Sequence, residues 1–158
     1  MEYSAEDPLA EFVALLKSEG RKGVLGLDCG PGWVGLRFVQ AGIHFTGVDP
    51  SEENIHAARA RGLEASVAAA GSLPFADSTF PSVWAVDALA GLPPEEWDDV
   101  VRELGRVAAP GAPIAVVLPG QGAPEGVPAE QVAPEGAPPE QVPPEGAPPG
   151  FTVYRSPA

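Results

Sequence analysis

Residues 24 to 49 read VLGLDCGPGWVGLRFVQAGIHFTGVD, and the parsing of this stretch decides the fold. Val24, Leu25 and Leu27 form a short apolar run that ends in the loop Asp28-Cys29-Gly30-Pro31-Gly32. Trp33 to Gln40 then suits a helix with Leu36 and Val39 on one side and Ala41-Gly42 as its stop signal. Phe45 to Val48 is a second apolar run, closed by an acid, Asp49. Strand, glycine turn, helix, strand is the repeating unit of an open parallel sheet, whose ligands sit beyond the carboxyl ends of the strands. The glycine loop and Asp49 both fall there. Glycine lets backbone approach a ligand, and a helix start offers free N–H groups. An acid at the next strand end accepts hydrogen bonds from both hydroxyls of a ribose. The stretch therefore predicts a site for a nucleoside-bearing ligand.

Two patterns compete for it. Gly30-Pro31-Gly32-Trp33-Val34-Gly35 matches the G-x-G-x-x-G of dinucleotide-binding folds, with Asp49 about 20 residues on. The wider register resembles something else. VLGLDCGPG at 24–32 resembles the VLDLGCGTG loop of class I S-adenosylmethionine-dependent methyltransferases, and FTGVDPSEENIHAARARG at 45–62 resembles their second motif. SLPFADSTF at 72–80 is similar to their LPF-x-D-x-x-F-D stretch, and ELGRVAAPGAPIAVVLPG at 103–120 to their EL-x-RVLKPGG segment. Four segments in the family's order span residues 8 to about 118.

The resemblance implies a doubly wound, mostly parallel α/β sheet of five strands. It also implies S-adenosylmethionine as cofactor and a small-molecule methyl acceptor. Asp49 is then expected on the adenosine ribose, with Gly30 and Gly32 forming the loop. Asp28, Cys29, Pro50, Ala69 and Ala70 are expected beside the cofactor.

Some family positions are altered. The family places an acid at the position of Gly26 and a glycine at that of Asp28; this chain has the reverse. Residues two apart in a strand share a face. On that reading Asp28 serves the region of the usual acid, as a ligand for the cofactor's ammonium. The opposite reading is that its side chain obstructs the loop, and the sequence leaves both open. Where the family has an acid for the adenine amino group, four residues before the leucine of LPF, this chain has Ala69. Asp87, at the end of the fourth predicted strand, is the candidate for catalysis or for orienting the acceptor. Cys29 reads as a small buried filler, since neither histidine is near it in sequence.

The formal net charge of −13 argues against nucleic acid or an anionic membrane as partner. One cysteine excludes an intrachain disulfide and suits a reducing cytosol. No apolar run approaches the roughly 20 residues of a membrane span. With an acidic start, MEYSAEDPLAEF, a cytoplasmic soluble protein is expected. Two histidines and one cysteine, with no partners at ligand spacing, give no pattern of metal ligands, and no metal site is assigned.

In chain order, 7–19 is a predicted helix capped by Asp7, with Leu9, Phe12, Val13 and Leu16 on one face. Ser51 caps a helix that places Ile55 and Ala58 inward and His56 outward. Leu63–Val67 and Ser82–Val86 are the third and fourth predicted strands, and Leu73-Pro74-Phe75 is core and turn. Pro94–Val107 is an amphipathic helix through Trp97, Val100, Val101, Leu104 and Val107, and Pro113–Leu118 is the fifth strand.

Residues 1–119 are read as the methyltransferase-like domain. Residues 120–150 repeat every ten, PEGVPAEQVA, PEGAPPEQVP, PEGAPPG, with five glutamates and no positive charge. Such a segment is expected to be a disordered or extended linker. A protein partner through the fold or this tail is a further reading. Gly150-Phe151-Thr152-Val153 resembles a GF-x-V strand near the family's C-terminus, and residues 151–158 are expected as a C-terminal strand returning to the sheet. The family's acceptor-pocket elements normally stand where this chain has the repeat. The rival functional reading is therefore a non-catalytic scaffold or subunit with a weakened cofactor site. A nicotinamide-dependent oxidoreductase comes third.

Overall fold

Gly23–Leu27 forms β1, buried along nearly its whole length, which is why its residues are apolar or glycine without alternation. It is the centre of a six-stranded sheet in this computed structural model, which describes residues 8–86, 88–89, 92–117 and 151–157. The remaining strands are β2 (His44–Asp49), β3 (Glu64–Val67), β4 (Val83–Ala85), β5 (Pro113–Val117) and β6 (Phe151–Arg155). Their order is β3-β2-β1-β4-β5-β6. The first five run parallel, and β6 lies antiparallel against β5, Ile114 opposite Tyr154. The order reverses between β1 and β4, so ligands are expected in the crevice above that point.

The helices are α1 (Pro8–Ser18), α2 (Trp33–Gln40), α3 (Glu52–Ala60) and α4 (Trp97–Val107). α1 buries Leu9, Phe12 and Leu16, as its spacing predicts. Ser51 caps α3: its hydroxyl accepts the Asn54 N–H at 3.2 Å, while Glu52 and Glu53 meet the positive helix end. α4 follows a 3-10 turn at Pro94–Glu96 and buries Trp97, Val100, Leu104 and Val107.

Two cores flank the sheet. α1, α2 and α3 cover one face, where Phe12, Phe38, Trp84 and Phe151 form a chain of ring contacts with centroids 5.3–6.3 Å apart. α4 covers the other, with Leu104, Val107, Ile114 and Tyr154 at its centre. The two chain ends of the fold are tied by charge. Arg155 pairs with Glu19 just past α1, and Arg21 donates to the same carboxylate at 2.7 Å.

Three readings need correction. The fully buried residues of α2 are Gly35 and Phe38; of the pair read on one side, Leu36 is partly buried against the same core and Val39 is 47% exposed. Phe38 has the larger apolar surface to bury, and Gly35 lets the helix descend onto Phe45. β4 is shorter than predicted, at Val83–Ala85; Ser82 lies just outside it, its carbonyl accepting the Leu25 N–H at 3.0 Å and its hydroxyl donating to the Gly23 carbonyl at 2.6 Å. Val101 is half-buried at the edge of the α4 stripe rather than within it. Asp7, Asp87 and the repeat at 120–150 lie outside the described residues.

Candidate functional site

The loop after β1 is shaped by left-handed residues. Asp28, Gly30 and Gly32 have φ of 52°, 58° and 109°. Gly30 faces open space: a methyl group built on it meets nothing within 4 Å. Gly32 serves packing instead. A methyl group there would stand 2.8 Å from Leu63 Cδ1 and 3.3 Å from Ala58 Cα, so only glycine lets α2 start this close to α3.

Asp49 ends β2 beside this loop. It is buried, 6% exposed, and its carboxylate is held by donors from both neighbouring segments. Oδ2 accepts the Gly30 backbone N–H at 2.9 Å; Oδ1 accepts the Ser51 N–H at 2.9 Å and, more loosely, Asn54 Nδ2 at 3.4 Å. Sequence order alone put Asp49 and Gly30 at adjacent strand ends. The hydrogen bond shows that the carboxylate turns toward the bend.

β1 stops at Leu27, so strand alternation does not extend to Asp28. A left-handed backbone is tolerated by aspartate better than by most residues. Asp28 nevertheless joins Pro50, Ala69 and Ala70 in lining one cavity of about 240 Å³. Gly71, Ala88 and Leu92 add its floor, and Glu96, Asp99 and Val100 close it from the α4 side. The cavity lies above the reversal between β1 and β4. Cys29 stands apart from it. Its N–H donates to the Val48 carbonyl at 3.0 Å, and its thiol packs against Gly47. Burial, then the charge of Asp49, pushes the thiol up to about 11. It is protonated at neutral pH and is not a nucleophile.

Two contributors escaped the sequence reading. Phe45 fills the space beside Gly26: a methyl group on Gly26 would lie 2.5 Å from its Cε1 and Cζ. The room for a side chain at position 26 is thus taken by an aromatic ring, and the acid stands at 28. The second is Arg106. It donates to the Leu73 carbonyl at 2.9 Å, the Phe75 carbonyl at 2.7 Å and Asp77 Oδ1 at 3.0 Å, and it forks onto Glu103. Glu103 Oε1 in turn accepts the Leu73 N–H at 2.7 Å. The pair clamps the connection from β3 to β4, which carries Ala69–Gly71 into the cavity.

His44 is exposed at the start of β2, 2.6 Å from Glu64, and His56 is exposed on α3. Neither reaches the cavity. Among the described residues no group of three or more His, Cys, Asp or Glu side chains is placed to hold a metal ion, and no helix is long and apolar enough to cross a membrane.

The donor set fits an adenosine-bearing ligand. Gly30, Gly32 and Asp49 do not line the cavity themselves, but their chain neighbours Asp28 and Pro50 do, so an open glycine bend and the carboxylate turned toward it adjoin a cavity that Ala69, Ala70 and Leu92 make partly apolar. Comparison with known proteins agrees. A family model described as "Methyltransferase domain" matches residues 24–111. Methyltransferase GfsG of Streptomyces halstedii is 34% identical over 134 residues, covering 72% of this chain and 46% of that protein. Norajmaline N-methyltransferase of Rauvolfia serpentina is 34% identical over 109 residues, covering 63% and 37%. A solved SAM-dependent methyltransferase of Methanosarcina mazei superposes with a TM-score of 0.58 at 28% identity, covering 61% of this chain and 51% of that one. The chain spans less than half the length of these two curated relatives. On its matched motifs and its fold, the chain belongs to the class I S-adenosylmethionine-dependent methyltransferase family.

Proposed function

We propose that this chain binds S-adenosylmethionine and takes part in transferring its methyl group to a small-molecule acceptor. The observation that carries the reading is the Asp49 carboxylate, buried and turned onto the Gly30 bend. A carboxylate offers about four acceptor positions. Gly30 and Ser51 use two of them at 2.9 Å, and the 3.4 Å contact from Asn54 is the one a ribose hydroxyl displaces. Gly30 gives the cofactor close approach to backbone, Gly32 lets the loop pass into α2 beside it, and Pro50, Ala69 and Ala70 flank the adenine. Asp28, at the loop end of the cavity, takes the ammonium of the amino-acid end, since Phe45 leaves no room for an acid at position 26. Cys29 supports the loop from beneath.

When bound, the sulfonium supplies an electrophilic methyl group. What the protein adds is position. Among the described residues no histidine faces the cavity. Asp87, the candidate for orienting the acceptor, lies outside the described residues; for an acceptor that is already nucleophilic, holding it in line supplies most of the acceleration. One relative is, by name, an N-methyltransferase of norajmaline, which supports a small organic acceptor.

Calorimetric titration with S-adenosylmethionine, S-adenosylhomocysteine and NAD tests the reading. Heat with the first two and none with NAD supports it. Binding of NAD alone moves the chain to the oxidoreductase reading, and no heat with any of the three leaves a scaffold.

A further inference from the structure

The polar acceptors of the cavity are unevenly placed. Asp28 stands at its glycine-loop end. At the far end Ala69, Ala70 and Gly71 bring no side-chain acceptor, and Ala88 and Leu92 are apolar. An adenine seated there turns its exocyclic amino group, a donor, toward side chains that cannot accept from it. An unpaired donor in such a place is costly. The other side-chain acceptors that line the cavity are Glu96 and, in the first turn of α4, Asp99. Asp99 is packed directly on the turn: a methyl group built on Gly71 would stand 3.4 Å from its Cβ. Its neighbour Asp98 shares the helix start but not the cavity. Asp99 Oδ1 is paired with Arg102 Nη1 at 3.0 Å, which engages one of its two oxygens.

We propose that Asp99 reads the amino group at carbon 6 of the cofactor's adenine, reaching from α4 across Gly71 because the turn at 69–71 has no side-chain acceptor of its own. The proposal rests on the cofactor reading above and adds a specificity residue to it. Asp99 is 58% exposed on its side chain, so the bond is partly screened.

The test is calorimetry on the full chain with S-adenosylhomocysteine and with S-inosylhomocysteine, its 6-oxo counterpart. The wild-type protein is expected to favour the adenosine form roughly tenfold. Asp99→Ala loses about that factor for the adenosine form only, so the preference disappears. Asp99→Asn, whose amide either donates or accepts, binds both forms about equally, and Asp98→Ala behaves as wild type. An Asp99→Ala protein that keeps the preference overturns the proposal. So does one that weakens both ligands alike, which assigns Asp99 to the folding of α4. A wild-type protein that binds no S-adenosylhomocysteine overturns the cofactor reading itself, and this inference with it. That outcome is visible before any variant is made.

Discussion

The Phe45 ring occupies the side-chain space of Gly26, 2.5 Å from where a methyl group would stand. The ring cannot swing aside. It is 2% exposed, sits close against the backbone of Gly35 and Gly47, and stacks on Phe38 at 6.0 Å between centroids. Gly26→Ala is therefore expected to destabilise the fold by about 1–3 kcal/mol through overpacking. Gly26→Ala combined with Phe45→Leu should cost less than the two single changes summed, since the pair is in contact. Chemical denaturation of the three variants measures this. Additive costs would show that the ring is not the obstacle.

Glu19 gives the fold an acid-sensitive tie. The hydrogen bond from Arg155, assisted by Arg21, lowers its carboxyl from 4.5 to about 2. The folded value lies below the unfolded one. The stabilisation is thus fully present above about pH 4.5 and is lost as pH falls toward 2. Glu19→Gln should melt below wild type at pH 7, and the two melting temperatures should converge as the pH approaches 2. Parallel curves across that range would show that the Glu19–Arg155 pair contributes nothing.

Arg106 joins three carbonyl or carboxylate groups of the 73–77 segment to α4. Arg106→Ala strands the Glu103 carboxylate and frees that segment. The expected result is a melting temperature lower by several degrees, with weaker S-adenosylhomocysteine binding through the loosened 69–71 turn. Arg106→Lys should rescue little, because an ammonium does not reproduce the planar fork. Full rescue by lysine would reduce the role of Arg106 to charge.

Cys29 should be inert in the folded protein. Its thiol is buried and pushed up to about 11. A disulfide reagent at pH 8 is expected to react only as fast as the chain unfolds, and promptly in denaturant. Rapid labelling of native protein would place the thiol at the surface.

What was legible in the sequence follows from the range of the forces involved. The β1 loop and Asp49 were readable because left-handed backbone and a strand-ending acid both leave residue types behind, as Gly30, Gly32 and Asp49 show. The Ser51 cap was readable for the same local reason. The inward side of α2 was not. Leu36 and Val39 carry the right period, but Phe38 wins on area, and only the partner surface of Trp84 and Phe12 decides. Long-range partners left no local signal. Arg106 meets carbonyls about thirty positions away, and Phe45 fits a niche assembled from β1, α2 and β2. Asp28 stands out in the sequence, but strand alternation is not what positions it, because β1 ends at Leu27 and Asp28 has a left-handed backbone.

The ribose contact of Asp49 is tested most directly without changing the protein. S-adenosylhomocysteine and its 2′,3′-dideoxyribose counterpart are titrated into the wild-type chain. A buried carboxylate that accepts the sugar hydroxyls predicts a loss of roughly 10- to 100-fold for the dideoxy form. Equal affinity for the two would contradict it.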